Sequence, residues 1–340
     1  MAIDLTAGLD PATDYMLAEK PADPDFRESA SMWIFDQRGE IALPRCGIES
    51  IASSWDTRDI QVNLAFPDGR VVTAREPGAG ASPVDDDGIS RTLRAGALEF
   101  RCVEPFARWT MSFDGKALDT TAEAMKRSEW RDAHRVELQV EVDVTTAVPP
   151  WVPGAFVEEA RALLEGQEGL FISPRYEQLC TARGTVKLGN DEWSFDGSAL
   201  RVHRQGVRNV EGFWGHCWQS ALFPDGRGFG YLTFPPRPDG KPSFNEGFLF
   251  DGERMIPAQA VGVPWLKRLI TSGEDVSLVL RTVDGDVRIE GETVFTTFTA
   301  GGTNPEFDPT LFQGGARYRW DGGETYGMIE RSTPTSQLEG

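Results

Sequence analysis

Three short segments of the 340-residue chain hold side chains able to move protons or bind charge, at spacings that a strand would bring to one face. In ALRVHRQGVRNVE (199–211), Arg201, His203 and Gln205 alternate, and Arg208, Asn209 and Glu211 follow Gly206. Imidazole is the usual general acid or base near neutral pH, and a nearby guanidinium binds an oxyanion or a phenolate. An exposed basic strand would show the same residues. In EGFWGHCWQS (211–220), period two puts Trp214, His216 and Trp218 on one face. Two indoles and an imidazole inside a barrel suit a bulky apolar or aromatic ligand, and equally suit a packed core. In RYRWDGGETYGMIERS (317–332), Tyr326 and Glu330 follow Glu324. A hydroxyl and a carboxylate there would serve proton transfer, or Tyr326 would simply close the barrel. FRESASMWIFD (26–36) adds Trp33 and Phe35 on an apolar strand. Cys217 faces away from His216 and Trp218 with no activating partner on its own side, which disfavours a catalytic thiolate. His134 sits in the charged stretch KRSEWRDAHR (126–135) and reads as solvated.

The elements that must position these side chains are strands. Asp-Gly pairs recur at 68–69, 87–88, 114–115, 196–197, 225–226, 239–240, 251–252, 284–285 and 321–322, and both residues tolerate the positive φ of tight hairpins. Alternating apolar runs flank many of them, and VELQVEVDV (136–144) alternates strictly. Helical patterns are few: FVEEARALLEG (156–166), stopped by Gly166, and a short one within LTAGLDPATDYMLAE (5–19). This pattern predicts antiparallel barrels or sandwiches. NLAFPDGRVV (63–72) resembles SALFPDGRGF (220–229), and SFDGKAL (112–118) resembles SFDGSAL (194–200) and LFDGERM (249–255). Either a β-domain is duplicated or hairpins reuse one turn chemistry. The Pro-rich VPPWVPG (148–154) and the helix after it place a boundary between 150 and 185.

Composition excludes several classes. With 34 Lys+Arg against 53 Asp+Glu the net charge is −19, which disfavours nucleic acid and anionic membrane surfaces as partners. No stretch approaches the roughly 20 apolar residues of a membrane span, and no basic-then-apolar leader opens the chain. A cytoplasmic location with four reduced cysteines, Cys46, Cys102, Cys180 and Cys217, is the expectation. Three scattered histidines give no metal-ligand spacing, and there is no Gly-rich phosphate loop, so neither metal nor nucleotide cofactor is expected. The oligomeric state is left open.

The layout resembles the carotenoid 1,2-hydratase (hydroxyneurosporene synthase) and AttH-like family, over roughly 26–332. The resemblance is carried by FRES with its Trp/Phe strand, by GALEFRCVEPFARWTMSFDGKA (96–117) and by YEQLCTARGTVKLGNDEWSFDG (176–197). The family motif Arg-Asp-His-Ser-Trp-Gly with a further Arg is matched in part by Arg201, His203, Gly206 and Arg208, while Val202 and Gln205 stand at the Asp and Trp positions. The resemblance implies an all-β fold of two packed lipocalin-like (calycin-like) barrels. Residues 1–25 would be an N-terminal extension, 26–170 the first barrel with its connecting helix near 156–166, and 171–335 the second. It implies a cofactor-free lyase, acting by dehydration, hydration or retro-aldol elimination on a bulky hydrophobic aromatic or polycyclic alcohol. With the motif acid absent, base-initiated chemistry is favoured. His203 would be the acid/base, and Arg201 or Arg208 would stabilise developing negative charge. Tyr326 would assist, and Trp33, Trp214, His216 and Trp218 would contact substrate. A carboxylate, Glu211 or Glu330, is expected beside the buried cations. The competing readings are a carrier for an isoprenoid or steroid, and a scaffold without ligand. His203 and Arg201 are expected to line an apolar cavity, with the tryptophans on the adjacent strand.

Overall fold

The computed structural model describes residues 3–165, 172, 174–208, 213–237, 239–299 and 309–339. The molecule is all-β and consists of two antiparallel barrels, as expected. The strands of the first are β1 (Phe26–Asp36), β2 (Ala42–Ile51), β3 (Thr57–Ala65), β4 (Arg70–Ala79), β5 (Thr92–Ala95), β6 (Leu98–Glu104), β7 (Arg108–Thr121), β8 (Arg135–Thr146), β9 (Arg175–Leu188) and β10 (Asp191–Val207). They run in the order β4-β3-β2-β1-β10-β9-β8-β7-β6-β5, and β4 also pairs with β7, so the sheet closes on itself. The second barrel is closed by β11 (His216–Leu222), β12 (Gly228–Thr233), β13 (Asn245–Phe250), β14 (Met255–Gly262), β15 (Leu278–Thr282), β16 (Gly285–Thr299), β17 (Pro309–Trp320) and β18 (Gly323–Pro334). Helices are short: a 3-10 turn at Pro11–Asp14, α1 (Ala122–Lys126), which the sequence did not signal, and α2 (Glu158–Glu165).

β9 and β10, expected to open the second barrel, belong to the first. β10 pairs with β1 from Phe26↔Val207 to Asp36↔Gly197, and β9 pairs with β8. That pairing joins segments far apart in sequence, which local pattern does not encode. The chain therefore crosses between barrels after Val207, not near 170. Asp114–Gly115 and Asp196–Gly197 are not turns but lie inside β7 and β10. A Cβ on Gly197 would lie 2.0 Å from the Phe35 carbonyl oxygen, so close approach of β1 accounts for that glycine. The FPDG repeat does form matching hairpins. Phe66 and Phe223 N–H groups donate to Arg70 and Arg227 carbonyls at 3.0 and 2.8 Å. The two hairpins join β3 to β4 and β11 to β12, at different places in their barrels, which fits reuse of one turn chemistry.

Strands that face water on one side alternate, as β8 does. The stretch Ser198–Arg204 of β10 and all of β11 are buried on both faces. In each, one face looks into its own barrel and the other packs on the opposite barrel. Met32 and Ile34 point into the first barrel core with Trp109 and Phe100. Trp33, Phe35, Leu200 and Val202 point outward and join Trp218 and Phe229 in a core that continues into the second barrel.

Candidate functional site

Alternation on these double-faced strands decides which candidate residues meet. On β11, Cys217 and Gln219 turn into the second barrel. Gln219 Nε2 donates to the Tyr231 hydroxyl at 2.8 Å, and Tyr318 donates to Gln219 Oε1 at 2.8 Å. His216 and Trp218 turn outward, toward the first barrel. They are not in a barrel interior, as the sequence suggested, because the odd-numbered positions hold that face. Register pairs Trp218 with Glu330 and His216 with Ser332, which puts Glu330 on the same outward face. Trp214 precedes the strand. Its indole donates to the Pro235 carbonyl at 2.8 Å and lies under Arg237.

His216, Trp218, Leu232, Phe234 and Glu330 meet Arg45, Arg175, Arg204 and Arg208 of the first barrel around a small cavity between the barrels. Its free volume of about 20 Å³ holds about one water. His216 Nε2 lies 3.2 Å from Glu330 Oε1 and its Nδ1 lies 2.6 Å from the Ser332 hydroxyl. Gln313 donates to Glu330 Oε2 at 2.7 Å. Burial would raise the Glu330 carboxyl, but His216, Arg45 and Gln313 hold it down at about 2. Trp218 meets Trp33 edge-to-face at 4.9 Å, and Arg175 covers its ring at 4.8 Å. Trp218 Nε1 donates to Glu177 Oε2 at 2.9 Å, and Glu177 pairs with Arg175 at 2.7 Å. Glu49 pairs with Arg27 and lies 3.6 Å from Arg208. Against its burial, Arg208, Arg204 and Arg27 hold Glu49 at about 2. Burial and the charge of Arg204 push Arg208 well below the usual guanidinium range. An ion pair, an imidazole, an indole and several cations thus converge on one small space between the barrels.

His203 and Arg201 do not line this cavity. β10 and β11 pack across the face between the barrels but do not pair, each being hydrogen-bonded to strands of its own barrel. The odd face of β10 puts both residues inside the first barrel, fully buried. Their carboxylate partner is neither Glu211, which lies outside the described residues, nor Glu330. Arg201 meets Asp14, carried in by the N-terminal 3-10 turn, and His203 stands between two carboxylates, with Nδ1 3.9 Å from Asp14 Oδ1 and Nε2 3.9 Å from Glu28 Oε1. Arg201 NH1 lies 2.7 Å from Asp14 Oδ1, and Asp14 Oδ2 accepts from Phe106 N–H at 2.5 Å and Trp109 Nε1 at 3.0 Å. Tyr176 donates to Asp14, and its oxygen lies 2.8 Å from His203 Nδ1. Burial opposes the Asp14 charge, yet Arg201, His203 and these donors hold its carboxyl below the usual range. Arg201 lies over Trp109 at 4.6 Å. Residues 10–17 are thereby tied across the first barrel. Tyr326 shares the Glu330 face but lies about 13 Å along the strand, against Gly39 and Phe295. Among the described residues, no group of three or more His, Cys, Asp or Glu could hold a metal ion. Among them, no helix is long and apolar enough to cross a membrane.

Sequence reasoning missed Arg45 and Arg175, which carry no motif, Arg204, which stands at the Ser position of the partly matched motif, and Asp14, which acts across 187 positions. Comparison with solved structures finds the same fold at very low identity. A protein of Nitrosomonas europaea described as an AttH candidate matches with TM-score 0.58 at 11% identity, over 98% of this chain and 100% of that one. CghA matches at 0.57 and 9%, over 93% and 89%. CghA with Sch210972 matches at 0.54 and 10%, over 92% and 88%. The lipocalin-like two-barrel architecture of AttH-type proteins is therefore shared. No curated protein sequence matches the chain. A family model described as a domain of unknown function, DUF7064, matches residues 10–335, and the chain belongs to that family.

Proposed function

We propose that the cleft between the barrels is the active site of a cofactor-free lyase that removes or adds water, or performs a related retro-aldol cleavage, on a bulky hydrophobic alcohol. The observation that carries this reading is the His216–Glu330 pair facing a cavity walled by Trp218 and arginines. His216 is the acid/base. Glu330 stays ionised and holds the ring at Nε2. The Ser332 hydroxyl at Nδ1 is a rotor that a substrate can displace. In an elimination, the imidazole takes a proton from carbon and returns one to the departing hydroxyl, so that water leaves and the ring is restored. The arginines face the negative charge that develops in between. Ligand binding must widen the 20 Å³ space by moving long arginine side chains or parting the barrels. That CghA, of the same fold, has been crystallised with Sch210972 supports a small-molecule ligand.

The test incubates the protein with a panel of hydrophobic aromatic and polycyclic alcohols and follows loss of water by mass spectrometry. Conversion should fall by about 10²-fold or more in His216→Ala, the usual scale for a lost acid/base, and persist in His203→Ala. Ligand binding without conversion in the wild type would favour a carrier. Conversion lost only in His203→Ala would move the site into the first barrel.

A further inference from the structure

We propose that the substrate carries a carboxylate beside its apolar body, and that Arg45 and Arg204 clamp it. This rests on the cleft being the ligand site. Five guanidiniums stand on or behind the cleft wall, and three have carboxylate partners: Arg27 and Arg208 with Glu49, and Arg175 with Glu177. Arg45 and Arg204 have no carboxylate oxygen within 4.0 Å among the described residues. The Nε atoms of both are buried without a hydrogen-bond partner. The partner that Arg204 does have is neutral, Ser29 Oγ at 3.3 Å. Arg204 is 5% exposed, and burial with the neighbouring charge of Arg175 lowers it to about 9. A buried cation without a directly paired carboxylate is costly, and Glu49 and Glu330 offset that cost only from beyond ion-pair distance.

Arg45 shows a second, independent cost. Its φ is +70°, uncommon for a residue with a side chain, and it sits where β2 shifts register against both β1 and β3. Bulges of this kind re-aim a side chain, and here the guanidinium lies over Trp33 at 5.1 Å and reaches the cavity. Backbone strain spent on aiming a cation, next to a buried cation with no carboxylate in ion-pair contact, points to a ligand that supplies the contact. The ligand class follows from the rest of the wall. Trp218, Leu232 and Phe234 take an apolar body, so the fitting molecule is an amphipathic organic acid rather than an inorganic oxyanion.

Isothermal titration calorimetry with 2-naphthoate, 2-naphthalenemethanol and inorganic phosphate tests this on the full chain. The wild type should bind the acid at least about tenfold more tightly than the alcohol, and phosphate more weakly than the acid. Arg204→Gln and Arg45→Gly should each erase the preference for the acid while leaving the affinity for the alcohol unchanged. Glycine accepts the positive φ at position 45, so Arg45→Gly keeps the local backbone, and the comparison of acid with alcohol within the same variant separates lost clamping from lost stability. Equal binding of acid and alcohol, or a preference that survives both substitutions, would overturn the clamp and leave the cleft standing. Phosphate binding as tightly as naphthoate would overturn the carboxylic-acid class. The cleft itself falls if Trp218→Ala leaves binding of both naphthalenes unchanged, or if neither naphthalene binds.

Discussion

At the scale of single residues, the cleft explains why Glu330 is a carboxylate. Its folded value, about 2, lies below the ordinary 4.5 because His216 and Arg45 outweigh burial. A carboxyl depressed on folding stabilises the protein above about pH 4.5 and gives up that stability as the pH falls toward about 2. Urea unfolding at pH 5, 4 and 3 should therefore show declining stability. Glu330→Gln should flatten part of the decline, Glu49 retaining its own share by the same physics. An unchanged slope in Glu330→Gln would mean that the pair with His216 is weak. His216, Trp218, Glu330, Trp33 and Arg208 were legible as candidates because aromatic and ionisable side chains on apolar strands stand out. Their grouping was not legible. His203 looked equivalent to His216, and only the parity of each strand against its barrel separates them. Arg45 gave no signal, because a left-handed backbone at a non-glycine residue leaves no mark in composition.

Strands as elements were legible from alternation and turn chemistry, as β8 and the FPDG hairpins show. What failed was pairing: β9 and β10, expected to open the second barrel, complete the first barrel against β8 and β1. The Pro-rich stretch is a tether rather than a domain edge. Buried Glu246 on β13 accepts from Trp151 Nε1 at 2.8 Å and from the backbone N–H groups of Gly154, Phe156 and Val157 at 2.7, 3.1 and 2.8 Å. One carboxylate thus fastens the segment before α2 onto the second barrel. Glu246→Ala leaves four donors without a partner, and should cost about 3 kcal/mol or more in denaturant unfolding. It should also open residues 150–157 to limited proteolysis. Wild-type stability in that variant would show the tether to be dispensable.

Across the whole molecule, each barrel holds a buried arginine paired with a carboxylate from outside its strands. Arg201 meets Asp14 in the first barrel, and fully buried Arg331 meets Glu274 at 3.0 Å in the second. The net charge of −19 argues against polyanionic partners, yet the cleft concentrates arginines, so total charge does not describe the local field. The three histidines allow the central claim to be read directly, since His134 is exposed and His203 and His216 mark the two competing interiors. The measurement is a titration of histidine-¹⁵N-labelled protein with 2-naphthoate, followed through the imidazole nitrogens and assigned with His→Gln variants. The cleft predicts that the His216 nitrogens shift with ligand while those of His203 stay fixed behind Asp14 and Tyr176. Shifts at His203 with His216 unmoved would contradict it and place the ligand inside the first barrel.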